Sequence, residues 1–217
     1  MGTWGTYSLE DFLMFSPRVY WRLFELANET LWPLHVVALL LGAAMLALAL
    51  RPTAWSGRFI GIALGIAWIW VAWSFLWERY APINWGIAWV APVFTLQGLM
   101  LIFWAPAFAG AGGEVRRDVG LGLCVYGLAL HPLVALIAGR PIEAAEVFAI
   151  APDPTAIATL GIVCTAQARA AWPLMIIPVL WCLASALTLY AIGAPEALIP
   201  LAAAVAAVAA RTGLDRP

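Results

Sequence analysis

The sequence predicts an all-α protein built for the membrane: a polytopic transmembrane helical bundle of about seven spans, preceded by an interfacial amphipathic helix. Three observations predict it. First, 65% of the 217 residues are hydrophobic, 11% are charged, and mean hydropathy is +0.93. A soluble domain is closer to about half apolar and about a quarter charged. Second, apolar stretches near the roughly 20 residues that cross a bilayer core of about 30 Å recur along the chain, with short linkers between them. Third, the arginines segregate between alternate linkers. No soluble core hides this much apolar surface, so the solvent is lipid. That excludes a cytosolic enzyme, a secreted domain and a nucleic-acid partner.

The first region, residues 1–30, is too polar to span. Ser8 can cap a helix whose first turn holds Glu10 and Asp11, and Ser16-Pro17 makes a second start. Phe12, Phe15, Val19, Leu23 and Leu26 recur on one side, and Arg18, Arg22, Glu25 and Glu29 form the polar complement. Such a helix rests on the outer membrane surface as a lead-in to the first span, or lies as a lid over an outward cavity. This start lacks the basic end and apolar core of a signal peptide, so the spans themselves act as insertion signals.

Residues 31–217 read as one transmembrane domain. Spans fall near 31–50, 59–77, 85–104, 119–138, 155–168, 171–192 and 196–210. All are helical, because an open strand cannot satisfy its backbone in lipid. The fifth and seventh are short, which fits tilted or re-entrant pieces. The longest linkers, 105–118 and 139–153, hold no domain. Trp-Pro-Leu at 32–34 and 172–174 marks two helix starts with Pro in the first turn. These spans run in opposite directions, which also suits an inverted repeat.

Orientation follows from arginine, since Lys is absent. With the N-terminus outside and the C-terminus inside, Arg51, Arg58, Arg116, Arg117, Arg169, Arg211 and Arg216 fall inside, and Arg18, Arg22, Arg79 and Arg140 outside. Removing the fifth span reverses this bias, so seven spans fit best. The missing Lys also excludes a Schiff base to retinal or pyridoxal phosphate and a Walker phosphate loop. Cys124, Cys164 and Cys182 lie in apolar stretches without a Cys-x-x-Cys pair and read as small core residues.

Polar groups inside spans are costly, so each is a candidate for function. Asn28 and His35 lie near the outer end of the first span. Asn84 flanks the outer turn between the second and third. His131, followed by Pro132, sits in the outer half of the fourth, and Glu143, Glu146 and Asp153 precede the fifth. Thus the functional face looks outward. His35 and His131 are the two histidines, and a metal site would recruit Glu146 or Asp153 as a third ligand. No His-x-x-x-His spacing supports one, so the sequence assigns no metal and no cofactor. Pro152-Asp153-Pro154-Thr155 reads either as a helix start or as a broken-helix entry aiming a carboxylate into a cavity.

Of 13 tryptophans, Trp70, Trp73 and Trp77 share a helical face, and Trp32, Trp85, Trp89 and Tyr80 sit at similar depth. They form an interfacial aromatic belt or the wall of a site near carboxylates. Trp68 points elsewhere. No Gly-x-Ser-x-Gly elbow or pair of intramembrane aspartates signals an enzyme.

Together, Asn28 before Trp32-Pro33, Ile83-Asn84 at the second outer turn, and Pro152–Pro154 before the next span resemble a family of uncharacterised bacterial multi-pass membrane proteins, a domain of unknown function. The resemblance covers nearly the whole chain. It implies a bacterial inner-membrane location and supplies no activity. Members often carry Cys between those prolines and Gln two residues after Trp-Pro; here Asp153 and His35 stand instead, which departs from any thiol–metal chemistry.

The leading expectation is a protein that binds or passes a small molecule or ion through an outward pocket. Asn28, His35, Asn84, His131 and Asp153 line it, with Trp73, Trp77 and Trp85 as walls. A second expectation is an accessory subunit or assembly factor of a membrane complex, or a homo-oligomer, supported by small size, short loops and the alanine-rich last span 202–210, with the tryptophan-rich outer half contacting partner chains. A third is a membrane enzyme using Glu143, Glu146 and Asp153 with His131 on a hydrophobic substrate.

Overall fold

A computed structural model describes residues 14–104, 113–166 and 172–212. The first-turn features at Ser8, Glu10, Asp11 and Phe12 lie outside the described residues, as do Arg169 and Arg216. Within the described residues the chain is helical and has no strand. Its α-helices are α1 (Pro17–Leu31), α2 (Leu34–Leu50), α3 (Ser56–Val71), α4 (Ile87–Phe103), α5 (Glu114–Val125), α6 (Val134–Ile137), α7 (Pro152–Thr165), α8 (Pro173–Ala191) and α9 (Leu198–Thr212).

Helix α1 starts where the sequence places its second start. Pro17 fills the first position and the Val19 amide donates to the Ser16 hydroxyl at 3.4 Å. A 93° bend separates α1 from α2. The buried stripe of α1 is Tyr20, Leu23, Phe24 and Ala27, while Val19 and Leu26 are exposed. The stripe turned to the protein is therefore rotated from the aliphatic one that the sequence offers. Aromatic packing selects it: Phe24 lies against Phe75 at 4.8 Å, and Tyr20 against Tyr80 at 5.8 Å.

Three segments are long and apolar enough to cross a bilayer: Ser56–Tyr80, Glu114–Ile137 and Pro173–Ala191. The α1–α2 pair makes a fourth if its bend is counted within one span. Helices α4 and α9 are apolar but shorter. Two of the long segments contain π-helical stretches. Ala72–Tyr80 continues α3, and Tyr126–Leu130 continues α5 into a 3₁₀ turn at His131–Leu133. Such stretches re-aim side chains and occur often at functional sites.

Helix α7 is the centre of the bundle. Its 14 residues reach about 21 Å, short of a bilayer core. Residues 152–164 are all buried, enclosed by α3, α5, α8 and α9. Small residues bring it close to α5. A Cβ on Gly161 would lie 2.5 Å from the Gly120 carbonyl oxygen, and one on Gly120 would lie 2.6 Å from that of Gly161. Gly65 and Gly98 make the same close approach between α3 and α4.

Two expectations are corrected here. Arg211 is not a loop charge. It is buried, and its guanidinium donates to the Val163 carbonyl at 2.6 Å and the Ala166 carbonyl at 3.1 Å. It satisfies acceptors that the C-terminal turn of α7 leaves over. The alanines of α9 are not one open contact surface either: Ala202 and Ala209 are exposed beside Val205, and four others turn inward. Ala203, Ala204, Ala207 and Ala210 are buried within the chain, where α9 meets α5, α7 and α8.

Gly161→Ala must push two backbones apart and should cost about 1–3 kcal/mol. Gly122→Ala meets nothing within 4 Å and gains helix propensity. Thermal unfolding in detergent should show a clear loss for the first and no loss for the second.

Candidate functional site

The segment between α6 and α7 positions the site. Residues 144–151 are buried yet not regular helix, which membrane proteins tolerate only where protein or water supplies the missing hydrogen bonds. Side chains supply them here. The Asn28 amide donates to the carbonyls of Glu143 at 2.6 Å and Ala145 at 2.8 Å. Its oxygen accepts from Nε2 of His35 at 2.8 Å, since its nitrogen is already committed to carbonyls. At the far end, the Ala149 amide donates to the Thr155 hydroxyl at 2.9 Å, and that hydroxyl donates to the Ala151 carbonyl at 2.7 Å. Ala149 has φ 59°, a conformation costly for a residue with a Cβ.

This stapled segment brings Glu146 against His131 and Asp153. The three are 6%, 4% and 1% exposed, and one ligand atom from each lies within 4.8 Å of the others. His131 is aimed by the π stretch before it: its amide bonds to the Tyr126 carbonyl, five residues back. The Tyr126 ring meets the imidazole edge-on at 5.5 Å. Asp153 sits in the first turn of α7, where the helix dipole favours a carboxylate. Its oxygens accept from the indole N–H of Trp181 at 2.7 Å and the hydroxyl of Ser185 at 2.5 Å. Glu146 Oε2, by contrast, has no hydrogen-bond donor. Nε2 of His131 lies 3.8 Å from it, too far for a hydrogen bond. Tyr20 of α1 closes this end, and burial pushes its phenol well above the usual range, with Tyr80, Glu146 and Asp153 adding to the shift.

A cavity of about 440 Å³ lies on the other side of Trp181 and Ser185. It runs between α4 and α8. Phe94, Val93 and Leu180 line its apolar length, and Tyr20, Tyr80, Asn84 and Thr188 line its polar end. The side chains that hold Asp153 are thus also part of this cavity's wall.

Residues 17–215 match DUF6064, a family of unknown function. The chain belongs to this family. No characterised protein and no solved structure matches it. The site of this DUF6064 member therefore rests on its own geometry.

That geometry separates the residues singled out in the sequence into three groups. His131 and Asp153 come together, with Glu146 as the third member. Asn28 and His35 pair with each other and brace the segment carrying Glu146; His35 is not in the cluster. Asn84 lines the cavity. Trp73, Trp77 and Trp85 do not wall it: they are 58%, 48% and 70% exposed and face out of the bundle. Trp73 and Trp77 instead line a second, more open cavity of about 510 Å³, with Pro92 and Thr95. The aromatic walls are Trp89 and Tyr80, which the sequence places at that depth, together with Trp181, Phe94 and Tyr20. Trp181 and Ser185 lie four apart on α8, and that spacing on one apolar helix is the available signal for them.

Asn28→Ala removes three hydrogen bonds, each worth about 1 kcal/mol net. It should lower the unfolding temperature and raise hydrogen exchange across residues 142–151. Exchange in α9 should stay at the level of the unaltered protein.

Proposed function

We propose that this protein is an integral membrane protein that binds a small amphiphile in the cavity between α4 and α8, as a step in moving it across the membrane. The observation that carries the reading is the shared wall. Trp181 and Ser185 face the cavity and also hold the buried Asp153 carboxylate. A molecule with an apolar body and a hydrogen-bonding or cationic end fits this chemistry. The body lies along Phe94, Val93 and Leu180. The polar end meets Ser185, Thr188 and Asn84 and the faces of aromatic rings, which attract cations. Val93 and Leu180 are exposed at the cavity's edge, so an amphiphile dissolved in the bilayer reaches it from the side.

The seven-span, N-out and C-in arrangement belongs to this proposal, as does the bacterial inner membrane. It makes α4, α7 and α9 membrane-embedded helices despite their length. It puts Asn84, Thr188 and the segment 139–151 at the outer face. The contacts Arg79 to Thr30, Arg140 to Glu196 and Asn28 to Glu143 support gathering these ends together.

Ala184→Trp tests the reading by filling the cavity from α8. A panel of hydrophobic amines, alcohols and quinones should contain compounds that raise the unfolding temperature of the purified protein. Their affinity should fall at least about tenfold in the variant, a loss of about 1.4 kcal/mol. Equal affinities in both proteins would place binding elsewhere and overturn the proposal.

A further inference from the structure

We propose that His131, Glu146 and Asp153 form a site for one divalent first-row transition ion of the zinc class. The site does not depend on the cavity being filled, so it stands apart from the amphiphile reading.

The donor set is the first argument. One imidazole nitrogen and two carboxylate oxygens, on three different elements, are brought within 4.8 Å of one another. Zinc bonds such atoms at about 2.1 Å, which puts two ligands on one ion about 3.4 Å apart at a tetrahedral angle. The His131–Glu146 separation of 3.8 Å lies near that value. It fits two ligands sharing an ion better than it fits a hydrogen bond. Small rotations about the side-chain bonds bring the third ligand into range.

The second argument is the unpartnered atom. Glu146 is more than nine-tenths buried, and its Oε2, the atom facing His131, has no hydrogen-bond donor. An isolated buried carboxylate is costly, and two near each other are costlier. Among the described residues no arginine is ion-paired with Glu146 or Asp153. Arg140, on the neighbouring segment, is taken by Glu196 and stacks over Trp21. A divalent cation would balance both carboxylates at once.

The third argument is orientation. Metal-bound carboxylates are usually held by further hydrogen bonds. Asp153 has two, from Trp181 and Ser185, and each oxygen keeps a lone pair for an ion. Imidazole beside two carboxylates suits zinc, manganese or ferrous iron better than calcium or magnesium. Three protein ligands leave a fourth position for water or a bound molecule.

The full chain in detergent, stripped with chelator and then dialysed against Zn²⁺ or Co²⁺, should retain one ion per chain. Bound Co²⁺ should give the visible absorption of a four- or five-coordinate site. Glu146→Gln and Asp153→Asn keep side-chain shape and should weaken uptake by about 100-fold. Ser185→Ala, which only orients Asp153, should weaken it by about tenfold. Gly122→Ala, where an added Cβ meets nothing within 4 Å, should leave uptake unchanged. Failure of the unaltered protein to retain Zn²⁺, Co²⁺ or Mn²⁺ overturns the proposal and leaves the cluster holding protons alone. Undiminished uptake by Glu146→Gln and Asp153→Asn places the ion elsewhere and overturns it equally.

Discussion

The burial of α7 is the constraint on which the rest of the structure depends. A helix enclosed on every side can expose none of its polar groups to water or headgroups. Thr165 bonds its own helix and Thr155 the segment just ahead of it, while Thr159 and Asp153 take partners on neighbouring helices. The Thr159 hydroxyl accepts from the Trp68 indole at 2.8 Å, which fixes α3. Asp153 accepts from Trp181 and Ser185, which fixes α8. The carbonyls at the other end of α7 accept from Arg211, which fixes α9. Against α5 the helix offers Gly161, so contact there is backbone to backbone. The four neighbours are held by four different devices, and none of them is hydrophobic burial alone. That is expected in lipid, where apolar side chains gain little by leaving one apolar environment for another.

The same burial makes the site. Helix α7 begins inside the protein, so the segment that delivers the chain to it must also be buried. Irregular backbone at depth needs donors and acceptors from elsewhere: Asn28, itself held by His35, and Thr155 provide them. Once that segment is pinned, Glu146 has no route to solvent. It is held against His131, whose own position follows from the π stretch ahead of Pro132. A proline without an N–H and an unwound turn thus act together with a stapled loop. The result is a concentration of charge that an unconstrained chain would avoid.

Much of this is legible in the sequence, and what is not has definite physical reasons. Hydropathy carries the helical segments, and the cost of polar groups in lipid singles out Asn28, His35, His131 and Asp153. The sequence names Glu146 only as an alternative to Asp153 as third ligand beside His35 and His131, and assigns no metal. No Cys-x-x-Cys pair competes for that role. Partner choice is not legible, because helix adjacency is set by close packing at Gly161 and Gly120 and by the aromatic stripe of α1. Neither leaves a periodic signal distinct from ordinary apolar helix. Hence depth alone joins Asn28 and His35 to His131, although they brace the loop rather than enter the cluster. Trp73 and Trp77 do share a face, but periodicity cannot say which cavity a face lines. Trp181 and Ser185 are hidden for the opposite reason: they are ordinary residues of an apolar helix until Asp153 is placed beside them.

Trp181 therefore has two roles that need to be kept apart. Its ring stacks edge-on against Phe94 at 4.9 Å, and Phe94 packs on Trp68 at 4.3 Å. Its N–H meets Asp153. One side chain thus ties the cavity, the buried carboxylate and, through Trp68 and Thr159, the middle of α7 into a continuous set of contacts. If an occupant of the cavity turns the Trp181 ring, it also withdraws a donor from Asp153. That changes how the carboxylate can serve an ion or a proton. Coupling between two sites requires a group whose arrangement both sites bias. Within this fold, Trp181 and Ser185 meet the cavity on one side and hold the Asp153 carboxylate on the other.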